Sequence, residues 1–249
     1  MGWRIKHRTV TESTNKDAHG GEPGDVFTAD FQTAGRGRLD HRWLSQSGAN
    51  LMMSAVIDVE DAPPGEVATL PLVAGCAVAE AIASLFQRRD GNAQGYDVRI
   101  KWPNDVLIGG RKVCGILCER NGDNVIVGIG LNVNQKEFPE EIASRATSLL
   151  KELGLPVEVN HMRDAILERL ASLVRDWRRN GFAAAWPRIA ELDFLKGQTI
   201  SVVRTDTDAA PSSGVCGGIQ PDGSLDVGGV SVYAGEARIS RYDHAIAQH

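Results

Sequence analysis

The sequence predicts an α+β protein, a mixed β-sheet with helices packed on it, followed by a small C-terminal β-barrel. Two observations carry this. Strand-like alternation and helical periodicity are interleaved through residues 1–195, whereas 196–249 hold only short strand-like runs parted by Gly, Pro, Asp and Ser. The length of 249 residues also exceeds the usual single domain, so one large domain with a small appendage is expected. We therefore place a boundary near Leu195, giving domains 1–195 and 196–249.

Residues 26–32 (VFTADFQ) alternate apolar and polar side chains as a half-buried strand does, and 51–58 read as a second strand. A Gly-, Arg- and polar-rich loop, 33–48, lies between them. Val67, Leu70, Ala74, Val78, Ile82 and Leu85 recur at three- and four-residue steps, predicting an amphipathic helix with Pro63 and Pro64 just before its start. Strands are predicted at 98–102, 112–119 and 124–131, the last two joined through Asn121-Gly122-Asp123 as a hairpin. Met162, Ile166, Leu170, Leu173 and Trp177 mark a helix over 161–178, and a shorter one is expected over 182–192. Short strands at 198–204, 215–220, 225–227, 230–233 and 237–240 build the barrel, and 205–214 (TDTDAAPSSG) reads as a low-complexity loop.

The composition, 42% hydrophobic and 24% charged, suffices for a core without metal or disulfide staples. A net charge of −5 disfavours a protein whose main task is gripping a nucleic-acid backbone. No apolar run reads as a signal peptide, and no stretch approaches a membrane span, so a cytoplasmic protein is expected. Of the four cysteines, Cys114 and Cys118 share one face of a strand too far apart to bridge, and no metal-ligand spacing involves Cys or His.

Four segments could carry chemistry. Gly35-Arg36-Gly37-Arg38, with Arg42 and Trp43 behind it, offers close backbone approach and planar cations for phosphate or carboxylate, although such a run alone reads as a solvated loop. In Lys101-Trp102-Pro103-Asn104-Asp105, Pro103 ends a strand and leaves Asn104 and Asp105 at its tip, with Lys112 opening the returning strand. A cation and a carboxylate so placed suit a charged substrate with its magnesium; an ordinary hairpin is the equal alternative. Ser13 is positioned to cap a short helix starting at Thr14. Gly128 and Gly130 imply close approach to a strand by a ligand or a neighbouring strand. The six histidines form no Ser/His/Asp pattern.

Taken together and in order, Ser13-Thr14-Asn15, residues 32–38 (QTAGRGR), 101–105 (KWPND), 111–117 (RKVCGIL) and 128–132 (GIGLN) resemble the active-site motifs of the biotin–protein ligases. Ala234-Gly235-Glu236 resembles, more loosely, the ending of that family's C-terminal domain. The resemblance implies a sheet of the class II synthetase/biotin–lipoate ligase type with an SH3-like C-terminal barrel. It implies an enzyme that joins biotin and ATP into biotinyl-5'-AMP, with magnesium, and passes biotin to a lysine of a biotin carboxyl carrier protein. Lys112 and Arg36 are the implied catalytic residues, joined by Arg38 around the α-phosphate. Ser13, Thr14, Asn15 and Gln32 are implied at the ureido head of biotin, with Gly35, Gly37 and Gly115 along the rest of it. Trp43 and Asn132 are implied on the adenine or ribose side, and Asn104 and Asp105 at the phosphates, Asp105 with the metal.

The glycines at 35, 37 and 48 predict a loop that orders over the intermediate and excludes water. His41 stands where many bacterial members carry an arginine, which implies less charge around the adenylate. Some relatives add an N-terminal DNA-binding domain, for which no room precedes Ser13, so DNA binding is not expected. The family often dimerises through its sheets, so a homodimer is a further implied state. A lipoate or octanoate ligase and an inactive biotin-binding module are the alternatives.

Overall fold

The computed structural model describes residues 2–38, 42–43, 45–62, 64–90, 96–205 and 210–239. Its main sheet has seven strands: β1 (Arg4–Thr11), β2 (Asp25–Gln32), β3 (Leu51–Asp58), β4 (Val98–Lys101), β5 (Asp105–Ile108), β6 (Arg111–Asn121) and β7 (Asn124–Leu131). They are ordered β1-β2-β3-β7-β6-β5-β4, and only β1 and β2 run parallel. The helices are α1 (Thr14–Ala18), α2 (Pro64–Val67), α3 (Leu70–Asp90), α4 (Glu140–Ala143), α5 (Leu149–Leu153), α6 (Val159–Asn180) and α7 (Phe182–Glu191). After them β8 (Thr199–Arg204), β9 (Ser212–Ile219), β10 (Leu225–Val227), β11 (Val230–Val232) and β12 (Gly235–Ile239) form the antiparallel SH3-like sheet, ordered β11-β10-β9-β8-β12. Of the expected features, Pro63, Ser240, residues 206–209 of the polar loop, and residues 39–41 (His41 included) and 44 of the long loop lie outside the described residues.

Pleating divides the large sheet into two chemically different faces. Met53, Ala55, Ile57, Val125, Val127, Ile129, Cys114 and Ile116 point to one face and join α3, α6 and α7 in the main core. The other face is thinly covered. Helix α1 packs there, over a small cluster of Ala18, Phe27, Val56 and Ile126.

Besides β5, a strand between β4 and β6 where the sequence reading had only a short hairpin, two expectations need correction here. Residues Gly65–Arg88 are long and apolar enough to cross a membrane by length and composition, an 18-residue window within them reaching a mean hydropathy of 1.8, contrary to the sequence reading. That window is 78% buried inside the protein, because α3 is sandwiched between the sheet and α6 instead of lying half in water. The second correction is β1, which the sequence reading left unassigned. It is an edge strand, exposed along almost its whole length, so it lacks the apolar alternation that betrays a half-buried strand.

What anchors β1 is a carboxylate. Asp25, opposite Arg4 in the ladder, is 1% exposed and receives Arg4 Nε at 2.7 Å and Lys6 Nζ at 2.6 Å. The hydrogen bond from Lys6, then that from the Glu22 backbone N–H, hold its pKa down at about 2. Because the folded pKa lies below the usual 3.8, this stabilisation is present above about pH 4 and disappears toward pH 2. Both cations are half exposed, so we expect Asp25→Asn to cost only about 1–2 kcal/mol at pH 7. In urea denaturation the gap between wild type and variant should close as pH falls from 4 to 2; a gap that persists at pH 2 would refute the assignment.

Candidate functional site

On the thinly covered face, ladder partners line up in a row running Lys101, Asp105, Gly115, Gly130, Met52. The next row holds Leu117, Gly128, Ser54 and Phe27, and a third holds Glu119, Ile126 and Val56. Three glycines on one face leave backbone bare where side chains would otherwise stand. A Cβ on Gly130 would lie 2.6 Å from Trp43 Cε2, and one on Gly115 would lie 3.1 Å from Trp43 Cζ3. A Cβ on Gly128 would meet Asn15 Oδ1 at 2.1 Å. Trp43 and Asn15 therefore rest directly on the sheet.

Lys112 reaches this face through an irregularity. It lies three positions before Gly115, which in a regular strand would put the two on opposite faces. Between Val106 and Leu107 the register shifts, so that Val106 faces Cys114 while Leu107 faces Lys112, leaving Val113 as an extra residue. This bulge turns Lys112 back beside Gly115, where a Cβ would be 3.2 Å from its Nζ. The turn is held from outside the sheet: Lys112 N donates to Arg145 O at 2.7 Å, and Thr147 N donates to Lys112 O at 2.9 Å.

The charged end of the row is crowded. Lys112 Nζ stands 2.7 Å from Asp105 Oδ1, an ion pair by distance but without hydrogen-bond alignment, so that oxygen is buried and lacks a hydrogen-bond partner. Arg38 Nη1 donates to Asn104 Oδ1 at 3.4 Å and to Gly235 O at 3.2 Å. Burial lowers the pKa of Arg38, against the pull of Asp105 and Glu236. Burial also lowers that of Lys101, helped by Lys112 and Arg145 and opposed by Asp105 and Glu236. Lys112 Nζ also sits 5.8 Å from the centroid of the Trp43 ring, whose Nε1 is buried without a partner.

The other end is a hydrogen-bonded set of uncharged side chains backed by one ion pair. Gln32 Oε1 accepts from Thr14 N at 2.7 Å and from Thr14 Oγ1 at 3.1 Å. The expected cap by Ser13 is not made: Ser13 takes the cap position with extended backbone, but its hydroxyl bonds no helix N–H, and Gln32 satisfies Thr14 instead. The fully buried Ser54 hydroxyl lies 2.7 Å from Thr14 Oγ1 and 2.6 Å from Asn15 Oδ1. Asn15 Nδ2 donates to Glu119 Oε2 at 2.5 Å, and Arg36 Nη1 donates to Glu119 Oε1 at 3.0 Å.

The structure thus gathers Lys112, Asp105, Asn104, Arg38, Trp43 and Gly115 at one end, and Ser13, Thr14, Asn15 and Gln32 at the other. Arg36 turns toward Glu119, roughly 13 Å along the strand from Gly115. Gly35 carries the chain past Trp43, accepting its N–H at 2.9 Å, and Gly37 links the two arginines. Asn132 closes the β7 end, its Nδ2 donating to Thr147 O at 3.0 Å. Sequence reasoning gave no role to Lys101, Ser54 or Glu119. A lone Ser in an apolar strand and a Glu near a strand end carry no signal of their own, whereas Lys101 stood inside a quoted motif.

Crevices of about 340 Å³ beside His7, Asp30 and Glu158, and about 390 Å³ beside Asp61, Arg175 and Arg179, lie away from this cluster. The site is marked by converging groups, with Trp43 covering its floor. Among the described residues no three His, Cys, Asp or Glu side chains converge as a metal cage. The buried Asp105 oxygen fits a magnesium ion that takes its other ligands from phosphate and water. All four cysteines are free, and burial pushes the Cys118 thiol up to about 12 and that of Cys114 further, so neither is a nucleophile.

Residues 4–135 match the sequence profile of the biotin/lipoate A/B protein ligase family. A bifunctional ligase/repressor of Bacillus spizizenii is 37% identical over 194 residues, an alignment covering 73% of this chain and 57% of that protein's length. A biotin–[acetyl-CoA-carboxylase] ligase of Mycobacterium tuberculosis is 36% identical over 243 residues, covering 93% of this chain and 86% of that one. Among solved structures, a biotin protein ligase from Aquifex aeolicus in complex with biotin and ATP superposes with a TM-score of 0.82 at 28% identity, over 95% of this chain and 99% of that one. A profile match over more than half of the chain and a full-length relative at this identity settle kinship: the chain belongs to the biotin/lipoate A/B protein ligase family.

Proposed function

We propose that the protein is an ATP-dependent biotin–protein ligase that makes biotinyl-5'-AMP and transfers biotin to a lysine of a biotin carboxyl carrier protein of a carboxylase. The observation that carries this is the bare glycine floor joining a cation cluster to a hydrogen-bonding end. An apolar chain with a carboxylate at one tip and a urea at the other fits that floor lengthwise. Its carboxylate comes to Lys112, its chain crosses Gly115 and Gly130 once the Trp43 ring that rests on both moves aside, and its ureido head reaches Ser13, Thr14 and Gln32, with Asn15 behind them.

The chemistry follows from the charges. A carboxylate oxygen of biotin attacks the α-phosphorus of ATP, the bond to the bridging oxygen breaks, and pyrophosphate leaves. Negative charge shifts toward the leaving group, where Lys112, Lys101 and Arg38 stand preorganised. Asn104 orients Arg38, and Trp43 with Asn132 borders the nucleotide. Asp105 would hold a magnesium ion, which would supply neutralisation of phosphate charge. The amine of the carrier lysine then attacks the acyl carbon, AMP leaves, and the amine releases one proton. Trp43 and the glycines at 35 and 37 shield the adenylate from water meanwhile.

The same reading places the protein in the cytoplasm, able to form a homodimer and, with its net charge of −5, without a DNA-binding role. The division near Leu195 leaves 1–195 carrying the substrate groups, and 196–249 contributing Gly235 and Glu236 beside Arg38.

The decisive measurement is ATP–pyrophosphate exchange with biotin, lipoate or octanoate as the sole acid. We expect exchange with biotin alone, abolished in a folded Lys112→Ala protein, because a charge-assisted contact made in the transition state is lost. Exchange with lipoate or octanoate instead moves the protein to that ligase class, and biotin binding without exchange makes it a binding module. A second measurement uses pH. Since Lys101 titrates below an ordinary lysine, its charge is lost earlier as pH rises, and with it part of the grip on ATP. The alkaline limb of kcat/KM for ATP should therefore move to higher pH in Lys101→Arg; an unmoved limb rules Lys101 out of the nucleotide end.

A further inference from the structure

Glu119 stands apart from the motifs that carry the reaction, yet one carboxylate there links two of them. Its Oε2 accepts Asn15 Nδ2 at 2.5 Å and its Oε1 accepts Arg36 Nη1 at 3.0 Å. Both partners belong to segments that approach the site from other parts of the chain, Asn15 from α1 and Arg36 from the segment after β2. Glu119 is supplied by the sheet itself, in the row after Leu117 and Gly128 and on the same face.

The orientation of Asn15 depends on this contact. An amide can be turned end for end with little change in shape, and only its partners decide which way it lies. Here Nδ2 faces the Glu119 carboxylate and Leu117 O, while Oδ1 faces the Ser54 hydroxyl. A carboxylate accepts and never donates, so it admits one orientation only. Ser54 in turn touches Thr14 Oγ1, which is also bonded to Gln32 Oε1. The acceptor at Glu119 therefore fixes a chain running Asn15, Ser54, Thr14, Gln32. On its second oxygen Glu119 holds Arg36, whose side chain is otherwise 60% exposed.

We propose that Glu119 is a positioning residue for the acid substrate: it orders the hydrogen-bonding end of the site through Asn15 and ties the Arg36 segment down over it. This rests on the reading of that end as the seat of the biotin head. The nucleotide end is organised independently, by the bulge at Val113, the 145–147 backbone and the carbonyl of Gly235. Loss of Glu119 thus separates the two substrates, weakening the acid and sparing ATP.

The test measures biotin binding by calorimetry in the absence of ATP, and the KM values for biotin and ATP, in wild type, Glu119→Ala and Glu119→Gln. We expect Glu119→Ala to weaken biotin at least about tenfold in both measurements while KM for ATP stays within about twofold. Glu119→Gln keeps an acceptor for Asn15 but loses the charge that holds Arg36, and should fall between wild type and Glu119→Ala. It also carries the test should the alanine variant fail to fold. Adding Arg36→Ala to Glu119→Ala should cost less than the two losses combined, because the pair shares one contact. Unchanged biotin affinity in a folded variant overturns the proposal while leaving the ligase reading intact, as does an equal rise in both KM values, the mark of a merely structural role. Failure of the wild type to bind biotin overturns both.

Discussion

Everything at the site depends on three neighbouring positions on one face of a β-sheet being left without side chains. Gly115, Gly128 and Gly130 occupy positions where pleating would otherwise raise Cβ atoms into the space held by Trp43 and Asn15. Glycine in a strand interior is destabilising by roughly 0.5–1 kcal/mol relative to alanine. The opposite face offsets this, because the same strands bury Val125, Val127, Ile129 and Ile116 against α3. The sheet thus separates labour between its faces. Packing on one side fixes the backbone, and the backbone on the other side becomes the surface on which a ligand is laid.

The bulge at Val113 is the second half of that design. Without it the alternation of β6 would send Lys112 into the core with Cys114 or leave Gly115 facing α3. With it, a cation and a bare backbone position come to the same side one step apart. The cluster that results is poorly satisfied in its own right. Asp105 Oδ1 and Trp43 Nε1 are buried without hydrogen-bond partners, and Lys101 and Arg38 are both pushed toward neutrality by burial. A buried hydrogen-bonding atom left without a partner costs about 1–3 kcal/mol in a folded protein. In the proposed reaction, phosphate charge at this end would favour the charged forms of Lys101 and Arg38.

How much of this was legible in the sequence follows from the same physics. Periodicity revealed the strands and helices that bury an apolar face, among them β3, β7 and α6, within a few residues of their ends. It missed β1, whose side chains are nearly all exposed, and it read α3 as amphipathic although both of its sides are covered. The motif residues were visible because glycine, arginine and proline are conspicuous where they stand. The bulge was invisible, since Val113 is as good a strand residue as its neighbours and only the ladder shows that it is unpaired. Ser54 and Glu119 were invisible for a related reason. Their meaning comes from partners 39 and 83 or more residues away, which no local pattern reports.

The C-terminal sheet belongs to the same argument. Arg38 is held by Asn104 on one side and by the carbonyl of Gly235, at the start of β12, on the other. That carbonyl is placed by β12 pairing with β8, where a Cβ on Gly235 would come within 2.7 Å of both Val202 Cγ1 and Val203 O. The small sheet is in turn fixed to the large one by Trp102 Nε1 donating to Gly223 O at 3.1 Å, next in sequence to Lys101. Trp186 Nε1 donating to Ile219 O at 2.6 Å, and Asp193 accepting the N–H groups of Leu195 and Ile219, add to that joint. The buried cluster continues across it from Ile189 and Leu195 to Ile200, Val202 and Cys216. Of these contacts, Gly235 O to Arg38 lies at the cationic end of the site, and Trp102 to Gly223 O lies beside Lys101. The small sheet therefore acts on the end proposed for the nucleotide, by holding Arg38 through the Gly235 carbonyl.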